Sequence, residues 1–121
     1  MASDQYHEPV EELTPQTRDM HRALVSLQEE IEAIDWYRQR ADACGDEEMK
    51  AVLLHNMREE MEHACMMLEW LRRHSTDFDA NLRTYLFTEG PVLDVEKVDT
   101  GKQSVENRDS ITKFTIGTLK E

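Results

Sequence analysis

Glu30, Glu60 and His63 are the residues whose types and spacing point most directly to chemistry. Two carboxylates and an imidazole form a donor set suited to Fe, Mn or Zn. Glu60 and His63 lie three residues apart in a stretch free of Gly and Pro, so on a helix they project from one face. Both sit in a line of otherwise mostly apolar positions: Met49, Leu53, Asn56, Glu60, His63, Met67, Trp70. Glu30 interrupts a similar line made of Met20, Ala23, Leu27, Ile34, Tyr37, Ala41 and Cys44. A second stripe of Met57, Met61, Ala64, Leu68 and Leu71 widens the apolar surface around Glu60. An ionised carboxylate on such a face costs on the order of several kcal/mol unless something compensates it. No Lys or Arg falls on either line, which leaves a metal ion as the compensating charge.

The elements that must position these residues are helical. Thr14-Pro15 is a start signal, a hydroxyl that can cap followed by a ring whose missing N–H costs nothing in the first turn. No Gly or Pro follows until Gly45, where the first helix ends. Asp46 caps a second helix, Glu47 and Glu48 suit its positive end, and Arg72-Arg73-His74 suit its negative end. Each run is about 30 residues, or about 45 Å of helix. Equal lengths joined by a minimal turn predict an antiparallel hairpin. Glu30 lies 15 residues before Gly45 and Glu60 lies 15 after it, so the two come level, with His63 one turn further along. A shorter third helix is predicted from about Asp77 to Phe87. Around this all-α unit, residues 14–90, the composition predicts a loose arm over 1–13 and a polar, flexible linker over 91–110. Apolar residues return over 111–121.

Two helices cannot cover each other's apolar faces, and the simplest cover is a second copy, which makes a four-helix bundle. Di-iron sites of the ferritin-like type take a Glu from each of two helices and a Glu-x-x-His from each of two more. This chain supplies half of that set. A two-fold dimer supplies four Glu and two His around two metals. Bridging carboxylates favour iron or manganese over structural zinc and stabilise Fe³⁺ over Fe²⁺, so the expected reaction is Fe²⁺ oxidation by O₂. Self-repulsion of such an interface predicts assembly that depends on metal.

Composition narrows the alternatives. The 121 residues carry 14 Lys and Arg against 26 Asp and Glu, a net charge of −12. That balance argues against nucleic acid and anionic membranes as partners and favours cations. Met1-Ala2-Ser3-Asp4-Gln5 has no signal-like character, and Cys44 and Cys65 read as reduced thiols of a cytoplasmic protein. No phosphate-cradling Gly-rich loop or Ser/His/Asp arrangement is present.

Glu29-Glu30-Ile31-Glu32-Ala33-Ile34-Asp35-Trp36-Tyr37, together with Glu59-Glu60-Met61-Glu62-His63-Ala64, closely resembles the encapsulated ferritins, over roughly residues 6–90 including Tyr85-Leu86-Phe87-Thr88-Glu89. The resemblance implies a ferroxidase built as an annular decamer, a pentamer of dimers, with iron bound across the dimer interface. It assigns iron ligation to Glu30, Glu60 and His63. It places Glu29 and Glu32 in an outer pair that takes metal up, where Ca²⁺ or Mn²⁺ also binds, and Trp36 and Tyr37 beside the site. Lys113-Phe114-Thr115-Ile116-Gly117-Thr118-Leu119-Lys120 resembles the short C-terminal peptides that dock cargo into encapsulin shells. It departs from them in Thr118, where Ser is common, and in the acidic Glu121. Phe114, Ile116 and Leu119 would fill pockets on the shell and Gly117 would permit a bend. These features place the protein in the lumen of an encapsulin nanocompartment.

Other residues have plainer readings. Glu59 and Glu62 belong to a solvated helix face, His55 to the surface, Trp36 and Trp70 to packing or an interface, and the seven methionines to the core. Tyr37 reads as a packing residue with a hydrogen bond. Two other functions fit the same helices: a rubrerythrin-like peroxide reductase, and a non-catalytic helical cargo module whose acids bind metal structurally.

Overall fold

The computed structural model describes residues 5–99. A 3-10 turn, Val10–Glu12, precedes α1 (Pro15–Ala43), α2 (Glu47–His74) and α3 (Thr76–Tyr85). A further helix, α4, covers residues 92–99. No strand occurs among the described residues, so the all-α reading holds. The chain divides into two compact units between Leu71 and Arg72.

The helix starts follow their local chemistry. The Thr14 hydroxyl accepts a hydrogen bond from the Thr17 amide at 3.1 Å, with Pro15 in the first turn. The Asp46 carboxylate accepts from the amides of Glu48 at 2.9 Å and Met49 at 3.4 Å. Ser75 caps α3 through the Phe78 amide at 3.1 Å. The end of α1 differs from expectation: Gly45 does not take a left-handed conformation. Instead Cys44 turns to an extended backbone, its amide held by the Ala41 carbonyl at 3.3 Å.

Three residues, 44–46, join α1 to α2, which forces an antiparallel hairpin within the first unit. The described residues bury only four apolar side chains, Ala23, Ala41, Met57 and Leu71. The small alanines let the helices approach. On α2 the centre of the buried face is the Met57–Leu71 stripe, while Met49 at the head of the other line is exposed. A two-helix contact covers one narrow line per helix, and the carboxylate-bearing line lies at its open edge. Ile31, Val52 and Met61 are exposed as well.

Two stretches are more ordered than composition predicts. In residues 5–13, Arg18 donates to the Val10 carbonyl through Nε at 3.2 Å and Nη2 at 2.7 Å, and the Tyr6 and His21 rings lie 4.3 Å apart. The arm is therefore fastened to α1. In the predicted linker, the Pro91 carbonyl accepts from the amides of Asp94 and Val95 and opens α4. Proline breaks a helix interior but suits a first turn, and that competing property prevails here. The remainder of the predicted linker and residues 111–121 lie outside the described residues.

Candidate metal centre

The equal spacing about Gly45 brings α1 and α2 into the expected register. Glu30, Glu60 and His63 each offer a donor atom within 4.8 Å of the others. His63 Nδ1 lies 3.0 Å from Glu60 Oε1 and 3.6 Å from Glu30 Oε2. Donors bound to one ion at about 2.1 Å sit no more than about 4.2 Å apart, so small rotamer changes suffice to gather all three on a cation. The donor set fits iron or manganese. The Glu30 and Glu60 side chains are 24% and 25% exposed and His63 is 48% exposed, so the cluster opens to solvent rather than into a core.

The electrostatics show what the cluster lacks. Glu30 is pushed above the ordinary carboxylate range, chiefly by its hydrogen bond with Glu60, then by burial and by the charge of Glu60. Glu60 is held down, first by that hydrogen bond from Glu30 and then by one from His63. The two carboxyls thus titrate as a pair, Glu30 holding its proton to higher pH than Glu60. His63 is pushed up, foremost by its hydrogen bond to Glu60. Among the described residues no arginine or lysine contributes. The raised proton affinities of Glu30 and His63 mark a place where a multivalent cation would neutralise both acids.

The other predicted residues fall around this cluster. Glu29 is exposed and Glu32 half-buried, and neither joins it. Trp36 is exposed and Tyr37 half-buried. Arg40 lies over both rings, 6.0 Å from the Trp36 centroid and 5.6 Å from that of Tyr37. Sequence reading passes over Arg40, although its place three and four residues after these rings is the i+3 and i+4 signal for such a contact. Phe114, Thr115, Ile116, Gly117, Thr118 and Leu119 lie outside the described residues.

An all-helical hairpin with paired glutamates and a histidine at mid-length defines a ferritin-like protein. The EncFtn-like family matches residues 5–89. The chain is 54% identical over 99 residues to an encapsulated ferritin-like protein of Rhodospirillum rubrum, covering 82% of this chain and 71% of that one. It is 56% identical over 99 residues to a ferritin-like protein of Thermotoga maritima, covering 82% and 87%. A crystal structure of a Nitrosomonas europaea protein superposes with a TM-score of 0.70 at 57% identity, covering 72% of this chain and 96% of that one. The chain belongs to the EncFtn-like family of encapsulated ferritin-like proteins. That membership ties it to ferritin-like, iron-related function, and the Glu/His cluster is compatible with iron. Among the described residues no helix is long and apolar enough to cross a membrane.

Proposed function

We propose that the protein is a ferroxidase that binds Fe²⁺ as substrate between two copies of this chain and oxidises it with O₂. The observation that carries this reading is the convergence of Glu30, Glu60 and His63 on the half-exposed, open edge of the hairpin. Three donors from one chain leave much of a metal's coordination unfilled. A two-fold copy adds three more and brings its own apolar edge to cover Ile31 and Met61. Metal competes with protons for Glu30 and Glu60, and His63 must be neutral to donate its lone pair. Carboxylate oxygens favour Fe³⁺, and two substrate ions held together can deliver two electrons to one O₂.

The outer acids Glu29 and Glu32 serve as a route by which cations reach the cluster, with Ca²⁺ and Mn²⁺ as competitors. Trp36 and Tyr37, with Arg40, frame its flank. Pairs of chains assemble further, as an annular decamer, and the peptide from Phe114 to Leu119 docks the assembly on the inner face of an encapsulin shell in the cytoplasm. The relative named an encapsulated ferritin-like protein supports that placement. The Fe³⁺ product passes to the shell lumen as mineral.

Stopped-flow absorbance of aerobic Fe²⁺ oxidation tests the reading. Wild type is expected to exceed the background rate, with Glu30→Ala, Glu60→Ala and His63→Ala each losing most of the excess. Variants as fast as wild type would show the site to be elsewhere. Faster turnover with H₂O₂ than with O₂ would favour the peroxide reductase.

A further inference from the structure

The second unit contains a cleft of about 520 Å³ lined by Arg83, Glu89, Asp94, Val95, Val98 and Asp99. Residues of α3 and α4 line it together, on either side of the connection 86–91. Phe87 (φ 62°) and Gly90 (φ 84°) both take left-handed backbone, which is costly for Phe87, and its ring ends fully exposed. Leu93 and Val98 are 69% and 68% exposed. The rim is acidic: among the described lining residues Glu89, Asp94 and Asp99 stand beside Arg83, whose Nε donates to Asp79 at 2.9 Å. An apolar floor with an anionic rim fits an extended segment whose apolar side chains are flanked by basic ones.

We propose that this cleft seats the chain's own segment Lys113–Lys120. That segment carries a lysine at each end, Phe114, Ile116 and Leu119 between them, and no acid. The charge distribution is complementary: residues 100–121 hold four basic and three acidic side chains, against 10 and 23 in residues 1–99. The 13 residues 100–112 can span up to about 45 Å when extended, ample to return Phe114 to α4. A second copy is the poorer occupant, because the same face would set three carboxylates against three carboxylates. Tethering gives the tail a high effective concentration, so weak intrinsic affinity suffices. The apolar side chains assigned above to shell docking are thereby covered until a partner competes for them. That consequence rests on the docking reading, whereas occupancy of the cleft does not.

Hydrogen exchange on the full chain, without any shell protein, tests the occupancy. Replacing Phe114, Ile116 and Leu119 together by Ser is expected to speed exchange of amides 84–99 about fivefold while leaving α1 unchanged. A free peptide of sequence Lys113–Lys120, added to that variant, is expected to slow them again. Glu89→Lys is expected to act like the tail variant, and Lys113→Glu to restore protection to it. Equal exchange in wild type and tail variant would overturn the proposal. So would protection that follows protein concentration rather than the tail, which would assign the cleft to a second copy.

Discussion

The two units each hold a buttressed carboxylate, and the two are buttressed in opposite ways. Asp79 accepts hydrogen bonds from Arg72 Nη1 at 2.6 Å and Arg83 Nε at 2.9 Å, and these guanidinium groups, Arg72 foremost, hold it below its ordinary range. Glu30 has a second carboxylate and an imidazole for neighbours, and its affinity for a proton rises. One anion finds its counter-charge within its own unit. Among the described residues, the other has Glu60 and His63 for neighbours. The difference separates a structural ion pair from a site prepared for a charge that the described residues do not supply.

The largest effect expected from this contrast is on cation affinity. Glu60→Ala should weaken anaerobic Fe²⁺ or Mn²⁺ binding by about a hundredfold or more in calorimetry, since removing even a supporting partner of a ligand costs about 10–100-fold. Asp79→Asn should leave affinity unchanged and lower the melting temperature instead. Equal losses in both variants would erase the distinction.

The pH dependence of the cation-free protein is the next largest contrast. Glu30 and His63 are raised in the folded state, so their contribution is present at low pH and lost as pH rises through their raised values. Glu60, held down, offsets part of this at the acid end. Asp79 is lowered, so its contribution is present above the unfolded value and lost as pH falls through the folded one. Gln and Asn mimic the protonated acids, so denaturant melts of Glu30→Gln and Asp79→Asn should match wild type at acid pH. As pH rises they should diverge from it in opposite directions, the first becoming more stable than wild type and the second less. Saturating Mn²⁺ should abolish the alkaline loss in wild type.

Much of this contrast was legible in the sequence, and the reasons are local. Thr14-Pro15 and Asp46 declare helix starts because their side chains act within three residues. The level placement of Glu30 and Glu60 follows from counting on either side of a short turn. What the sequence concealed depends on packing or on competing uses of one residue. The apolar pattern of α2 does not distinguish the Met49 line from the Met57 line, because which one is buried depends on how α1 lies against it. Gly90-Pro91 reads as a break, yet Pro91 opens α4. Arg72 reads as a cation at a helix end, and its bond to Asp79 requires α3 to be in place.

The smallest effects expected are at the caps. Thr14→Ala and Ser75→Ala each remove one amide acceptor at a helix start and should each cost about 1 kcal/mol in chemical denaturation. Neither should alter the Fe²⁺ oxidation rate at a temperature where both variants remain folded.

The central claim is that the Glu30–Glu60–His63 cluster is half of a site. Native mass spectrometry of anaerobic Fe²⁺ titrations tests it most directly. Iron is expected on dimers and their multiples, two per pair of chains, with none retained by the monomer and none by the Glu60→Ala dimer. A monomer that holds its iron as tightly as any larger species would contradict it.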